Sequence, residues 1–185
     1  MSDGPVNEAD LDWTDHDHGD RTFRRKQLGD AAGGEQLGAS LYAVPPGKRL
    51  WVRHYHEGNE EAIFVQAGTG TLWLGPDAEE HALKPGDFVA LPAGEESAHE
   101  IEAGESELRL LMVSTMEEPD ITVYPDREMV GLYAGSPPGG EKADRTLSTY
   151  LDRNAEKEYW RSEPLSAVDF ELRQHRLEPF GLLGE

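Results

Sequence analysis

The chain lacks cysteine entirely, which excludes disulfides, thiolate metal ligands and a cysteine nucleophile. Basic residues are also scarce: 17 Lys and Arg stand against 37 Asp and Glu, giving a formal net charge of −20. Such a field repels nucleic acid and anionic membrane surfaces, so we expect neither as a partner. High acidity with little lysine indicates a protein kept soluble in a saline cytoplasm, and hence a halophilic source. An ordinary acidic mesophilic protein is the alternative.

Long apolar runs are missing as well. No stretch approaches eighteen consecutive apolar residues, so no transmembrane helix is expected. Residues 1–12 are polar and acidic and lack the basic-then-apolar pattern of a signal peptide, which predicts a cytoplasmic location. No helix-turn-helix pattern is visible, which argues against a regulator that binds DNA directly.

Short strands separated by Gly and Pro turns are what the chain does contain. This punctuation, with no helical stretch between the strands, predicts an all-β antiparallel sandwich or barrel. The predicted strands cover residues 41–44, 50–56, 62–67, 71–74, 81–83, 88–91, 99–102 and 108–114.

Three parts are predicted along the chain. A flexible acidic N-terminal arm covers residues 1–22, and a barrel covers residues 23–126. A C-terminal extension over 127–185 is expected to pack on the barrel or on a partner subunit. It contains a Gly- and Pro-rich linker at 135–140, and residues 154–161 are compatible with one or two helical turns.

The segment His54-Tyr55-His56 carries the main chemical signal. Two His at positions i and i+2 face the same way only on a β-strand, where alternate side chains leave from one face. Leu50 and Val52 have the same parity, so the strand is predicted to run from an apolar core towards two inward ligands. Glu61 and His99 follow, and three imidazoles with a carboxylate suit a first-row transition metal.

These residues resemble the two motifs of the cupin superfamily. The first is a Gly, an H-x-H, a Glu and a Gly, and the second is a Gly, a P-x-G and a His. Here they read Gly47, His54-Tyr55-His56, Glu61 and Gly68, then Gly86, Pro92-Ala93-Gly94 and His99. The resemblance implies a double-stranded β-helix, the cupin jelly-roll barrel. It also implies one divalent transition metal (Fe, Mn, Ni, Co or Zn) with His54, His56, Glu61 and His99 as ligands.

Two of these ligands have alternatives in the sequence. Glu60 competes with Glu61, but the six residues before Gly68 favour Glu61. The loop of the second motif is two residues longer than the common pattern, which leaves Glu95 or Glu96 as alternatives to His99. His99 is preferred because it leads directly into an apolar strand.

The remaining His and Arg receive other predictions. The second H-x-H, His16-Asp17-His18, has no apolar strand around it, so a solvated tail is expected rather than an accessory metal site. His81 and His175 are expected on the surface. The conceivable anchors for an acidic substrate are Arg49, Arg53 and Arg109, although strand parity turns Arg53 away from the cavity. The apolar cavity walls are predicted to be Val52, Ile63, Val65 and Ile101.

Three functions are compatible with such a site. The first is a metal-dependent enzyme of isomerase, dioxygenase or lyase type acting on a small oxygenated metabolite. The second is a non-catalytic binder or sensor of a small molecule, and the third is a structural barrel stabilised by its metal. Because cupin barrels commonly pair through a sheet edge or an exchanged N-terminal strand, a homodimer is expected.

Overall fold

The computed structural model describes residues 4–155, and antiparallel β-strands dominate it. The strands are β1 (Thr14–His18), β2 (Arg21–Gln27), β3 (Leu37–Val44), β4 (Tyr55–His56), β5 (Glu61–Ala67), β6 (Gly70–Leu74), β7 (Glu79–Leu83), β8 (Phe88–Leu91), β9 (His99–Ala103), β10 (Leu108–Thr115), β11 (Asp120–Tyr124), β12 (Met129–Ala134) and β13 (Leu147–Asp152). One short helix, α1 (Leu28–Ala31), and 3-10 turns at Glu8–Asp10, Glu95–Ser97, Pro125–Arg127 and Lys142–Asp144 complete it. The predicted all-β jelly roll is confirmed.

The strands form two layers. One layer is a six-stranded sheet in the order β1-β2-β3-β10-β5-β8, and the other contains the sheets β13-β12-β11-β4 and β7-β6-β9. An antiparallel bridge between His54 and His99 joins these two smaller sheets, with backbone N–H···O distances of 3.1 and 2.9 Å. Two of the predicted ligands therefore sit at the junction of the sheets.

The core lies between the layers and follows the alternation of the strands. Ile63 and Val65 on β5 are fully buried, and they pack with Ile101 on β9 and Leu110 on β10. Phe64, between the first two, is 40% exposed. Burial of this apolar surface, at roughly 25 cal/mol per Å², supplies the main stabilisation.

The predicted flexible arm differs from the structure over its second half. Residues 14–18 form β1, which pairs with β2 in a hairpin whose turn contains Gly19 at φ 74°. The His16 ring stacks on Phe23 with centroids 4.6 Å apart, so an imidazole does the packing that an aliphatic residue usually does. The prediction relied on alternating apolar residues, and it missed this strand because the strand's sequence is polar.

The extension continues the smaller sheet. β12 pairs with β11, and β13 pairs with β12, so residues 129–152 belong to the same layer as β4. The predicted linker at 135–140 is the connection between β12 and β13. Most of the predicted helical segment at 154–161, and His175, lie outside the described residues. No helix among residues 4–155 is long and apolar enough to cross a membrane.

The strand predicted over 50–56 is mostly irregular. Only Tyr55 and His56 form β4, with isolated bridges at Arg49 and His54 before it. Because no continuous ladder imposes alternation there, Trp51 turns towards the core and meets the Phe23 ring at 4.5 Å. Val52 is only partly buried.

Candidate metal centre

The predicted ligands converge between the two layers. One ligand atom each from His54, Glu61 and His99 lies within 4.8 Å of the others. His56 Nε2 is 3.6 Å from Glu61 Oε2, and His99 Nε2 is 3.6 Å from the same oxygen. The rings of His54 and His56 are 5.1 Å apart, measured between centroids. The structure therefore brings all four residues together.

Different elements supply these side chains. The two His of the H-x-H motif come from β4 and the bridge before it, Glu61 begins β5 in the opposite layer, and His99 begins β9. The turn between β4 and β5 is fixed by Asn59, whose amide accepts from the Glu117 N–H at 2.8 Å and donates to the Glu117 carbonyl at 3.0 Å. The cluster thus spans both layers on ordered backbone.

Backbone carbonyls orient two of the imidazoles. His54 Nδ1 lies 2.7 Å from the carbonyl of Val52, and His99 Nδ1 lies 2.9 Å from the carbonyl of Ser97. Because a carbonyl only accepts, Nδ1 carries the proton in both rings and Nε2 keeps its lone pair. Burial lowers the pKa of His54 well below its ordinary value and lowers that of His99, so both rings are neutral ligands.

A carboxylate orients the third imidazole. His56 Nδ1 lies 2.7 Å from Asp120 Oδ2, and Thr122 donates to the same oxygen at 3.2 Å. Burial works to lower the pKa of His56, but the bond to Asp120 and the charge of Glu61 outweigh it and raise the pKa. Burial likewise works to raise the pKa of Asp120, yet the bond from His56 leaves it lowered. Such carboxylate–imidazole pairs raise the basicity of a metal ligand.

The cluster fits a metal ion because two of its buried atoms have no hydrogen-bond partner. Glu61 Oε2 and His99 Nε2 are both buried and have no hydrogen-bond partner in the structure. Orphaned buried polar atoms are costly, and two acceptors that face each other at 3.6 Å need a shared proton or cation between them. Three imidazoles and a carboxylate are a donor set that divalent transition metals accept.

The alternative ligands lie elsewhere. The exposed Glu60 has its backbone N–H bonded to the Thr115 hydroxyl at 3.0 Å. Glu95 and Glu96 are exposed on a 3-10 turn, which accommodates the extra residues between Gly94 and His99. The extra length therefore leaves His99 in place at the start of β9.

The three predicted arginine anchors are all paired with carboxylates. Arg53 also faces away from the cluster, as its parity predicted, and bonds the backbone carbonyl of Pro76. The pairs are Arg49 with Glu100 and Glu102, Arg53 with Asp126, and Arg109 with Glu8. Because these charges are neutralised within the protein, the three side chains are poor anchors for an acidic substrate.

Two small pockets border the cluster. One is lined by His56, Glu61, His99 and neighbouring residues, and the other by the apolar Leu50, Trp51, Ile101 and Met112 together with His54, His99 and Glu100. Both are narrow clefts, far smaller than the roughly 300 Å³ at which pockets for drug-sized ligands begin. Of the predicted apolar walls, Ile101 lines the second pocket, whereas Ile63 and Val65 belong to the closed core and Val52 lines neither.

Two contributors escaped sequence reasoning, namely Asp120 and Tyr124. The Tyr124 ring stacks on His54 with centroids 6.0 Å apart, and its hydroxyl is 3.4 Å from that of Tyr133. Burial raises the pKa of Tyr124 to about 12, so its hydroxyl stays a neutral hydrogen-bond donor. The available signal was parity: Asp120, Thr122 and Tyr124 alternate along β11, the strand that pairs with β4.

Comparison with known proteins agrees with this geometry. Residues 40–114 match the family described as "Cupin domain", and this range contains both motifs. This part of the chain is similar to a cupin domain. A proposed sugar phosphate isomerase from Acidithiobacillus ferrooxidans is similar in structure, with 26% identity, a TM-score of 0.67, and coverage of 81% of this chain and 90% of that one. These findings support the cupin superfamily.

Two further proteins are similar to this chain. A sugar phosphate isomerase of the cupin superfamily from Silicibacter pomeroyi shares the fold at 23% identity, with a TM-score of 0.66 over 89% of this chain and 98% of that one. The quercetin 2,3-dioxygenase of Bacillus subtilis is 32% identical over 75 residues, which is 40% of this chain. That match spans 21% of the dioxygenase, so it concerns one cupin domain and not the whole enzyme.

Proposed function

We propose that the protein is a metal-dependent enzyme that acts on a small oxygen-bearing metabolite. The observation that supports this proposal is the cluster of His54, His56, Glu61 and His99. Two of its buried acceptor atoms, Glu61 Oε2 and His99 Nε2, have no hydrogen-bond partner and could bind a cation. A divalent metal bound there would polarise a substrate oxygen or lower the pKa of a bound water. Four protein ligands leave two positions on an octahedral ion but none on tetrahedral zinc, which favours Fe, Mn, Ni or Co.

The protein's own groups would hold and orient the substrate. Glu61 supplies the carboxylate of the cluster, and the Tyr124 hydroxyl beside His54 stays protonated and can donate to a substrate oxygen. Leu50, Ile101 and Met112 line the apolar pocket and limit both the size of the substrate and the access of water.

Isomerisation of a sugar phosphate is the first reaction to test. Its support is the similarity to the proposed sugar phosphate isomerase of Acidithiobacillus ferrooxidans, which extends over 90% of that chain. Sugar phosphates are small and rich in oxygen, and their oxygens are donors that a divalent metal accepts. Oxidative and lyase reactions on keto acids and diols form the second part of the screen.

The test is reconstitution followed by assay. Protein without a His tag is stripped with a chelator, loaded with Fe(II), Mn(II), Ni(II), Co(II) or Zn(II), and assayed on sugar phosphates, keto acids and diols. We expect one metal per chain and turnover with an octahedral metal. Glu61→Ala should lose metal and turnover by at least about tenfold, whereas Glu60→Ala, the exposed neighbour, should keep both.

The other outcomes separate the alternatives. Tight binding of a screened compound without turnover under any metal would contradict the enzyme and favour a sensor. A metal that only raises the melting temperature, with neither binding nor turnover, would favour a structural barrel. Equal loss of metal in both Glu variants would show that the cluster is not the site.

A further inference from the structure

Two partly buried arginines lack the carboxylate partners that several other arginines of residues 4–155 have. Among residues 4–155, Arg25 and Arg145 are the partly buried arginines with no carboxylate oxygen within 4.0 Å. The chain has 37 acidic residues, so an unpaired and partly buried guanidinium is unusual here. Within the part of the chain that the structure describes, no carboxylate neutralises their charges.

Neutral groups hold both guanidiniums in place. Arg25 donates to the Ser40 hydroxyl at 3.0 Å and to the Gly139 carbonyl at 2.9 Å. Arg145 donates to the carbonyls of Ser136 and Pro137, both at 3.1 Å. Each guanidinium has five N–H donors, so each is fixed with donors to spare. Both bind carbonyls of the same segment, residues 136–139.

Aromatic side chains connect Arg145 to the metal cluster. Its guanidinium lies 4.8 Å from the centroid of the Tyr133 ring. The Tyr133 hydroxyl is 3.4 Å from that of Tyr124, and the Tyr124 ring stacks on His54. Two tyrosines thus separate this positive charge from a predicted ligand.

A similar path leads from Arg25 through the six-stranded sheet. Its guanidinium lies 5.8 Å from the centroid of Tyr42, whose hydroxyl accepts from the Trp51 ring N–H at 3.4 Å. Trp51 lines the apolar pocket together with His54. Tyr42 and Trp51 thus stand between Arg25 and the pocket beside His54.

Local electrostatics agree with a gathering of cations at this place. Burial lowers the pKa of His16, and the charges of Arg25 and Lys142 lower it further. Glu141, next to Lys142, is exposed, and its carboxylate accepts from the Ala143 N–H. The acidic neighbour is therefore occupied by its own backbone and not by the arginines.

We propose that Arg25 and Arg145 form an anion subsite for the phosphoryl group of a small substrate whose other end reaches the metal cluster. Guanidinium forks match phosphate oxygens in geometry and form charge-assisted hydrogen bonds with them. Two guanidiniums suit a dianionic phosphate better than a single carboxylate. The part of this inference that concerns substrate rests on the proposed function, whereas anion binding by the two arginines does not.

The test is calorimetric titration of the full-length, metal-free protein with inorganic phosphate at constant ionic strength. Wild-type protein should bind phosphate, and Arg25→Gln and Arg145→Gln should each weaken binding by at least about tenfold. Arg153→Gln makes the same charge change at an exposed site and should stay within about twofold. Unchanged affinity in the first two variants, or an equal loss in the control, would overturn the subsite.

Further variants keep the result interpretable. If either glutamine variant melts early because the 136–139 segment loosens, Arg25→Lys and Arg145→Lys retain the charge while removing the fork, and each should still weaken phosphate binding severalfold. Unchanged binding in folded lysine variants would count against the proposal. Acetate that binds through these arginines where phosphate does not would overturn the phosphoryl assignment. Because no metal is present, failure of the proposed enzyme activity leaves this measurement intact.

Discussion

The chain contains two H-x-H motifs with the same spacing, His54-Tyr55-His56 and His16-Asp17-His18, and both lie at strands. The first belongs to the candidate metal centre, whereas the second packs within a hairpin. His54 and His56 meet Glu61 from the opposite layer and His99 from the neighbouring sheet. The second motif, residues 16–18, lies on β1 at the edge of the six-stranded sheet. Strand spacing aligns two imidazoles, but donors from other strands are what complete a metal site.

The H-x-H motif at residues 16–18 stabilises the hairpin of β1 and β2. The His16 ring packs between Phe23 and Trp51, with centroids 4.6 and 5.4 Å away, while His18 is exposed. The Asp17 carboxylate accepts from the Thr22 hydroxyl at 3.0 Å and closes the turn. In the first motif the nearby carboxylate, Asp120, instead orients an imidazole.

The largest expected effect is the loss of bound metal when a predicted ligand is replaced. His54→Ala, His56→Ala and His99→Ala should each lower bound metal at least about tenfold, because each removes a ligand from a shared centre. His16→Ala and His18→Ala should leave the metal content unchanged. Elemental analysis of purified protein without a His tag measures both sets, and metal retained after loss of His99 would contradict the assignment of that ligand.

A smaller effect is expected from the carboxylates that flank the motifs. Asp120→Asn keeps the shape of the side chain but removes the charge that orients His56, so metal affinity should fall by about 10- to 100-fold. Asp17→Asn is the matched control from the second motif and should not change affinity. Competition with a fluorescent chelator gives both values. Equal affinities in the two variants would show that the Asp120 contact does not tune the site.

The features of the site that could be predicted are those that depend on short intervals along the chain. The H-x-H motif, Glu61 and His99 follow from motif intervals, and the barrel follows from turn punctuation. Asp120 is 64 residues from His56, and strand parity alone does not reveal that β11 pairs with β4 and brings the two together. The strand β1 was missed because its apolar role is taken by His16. Arg25 shares strand parity with Phe23, which could have revealed it as inward, but only the contacts show that no carboxylate among residues 4–155 pairs with it.

The smallest expected effect concerns the packing of the second motif. His16→Ala removes a ring stacked on Phe23 and should lower the free energy of unfolding by about 1 kcal/mol. His18→Ala, at an exposed position of the same strand, should change it by less than about 0.5 kcal/mol. Denaturant titrations of the metal-free protein measure both. Equal losses would show that strand propensity, and not the stacked ring, accounts for the difference from wild type.

The pH dependence of the His16 effect tests its cause. Burial and the nearby charges of Arg25, His18 and Lys142 lower the pKa of His16 below 6.5, against the opposing charge of Asp15. A base with a lowered pKa in the folded state contributes stability that is present above about pH 6.5 and is lost as the pH falls through the folded pKa. The difference in the free energy of unfolding between wild type and His16→Ala should therefore be largest near pH 8 and should narrow towards pH 5. A difference that grows on acidification would mean that the His16 ring is protonated in the folded protein. It would contradict the interpretation that a neutral imidazole stacks on Phe23.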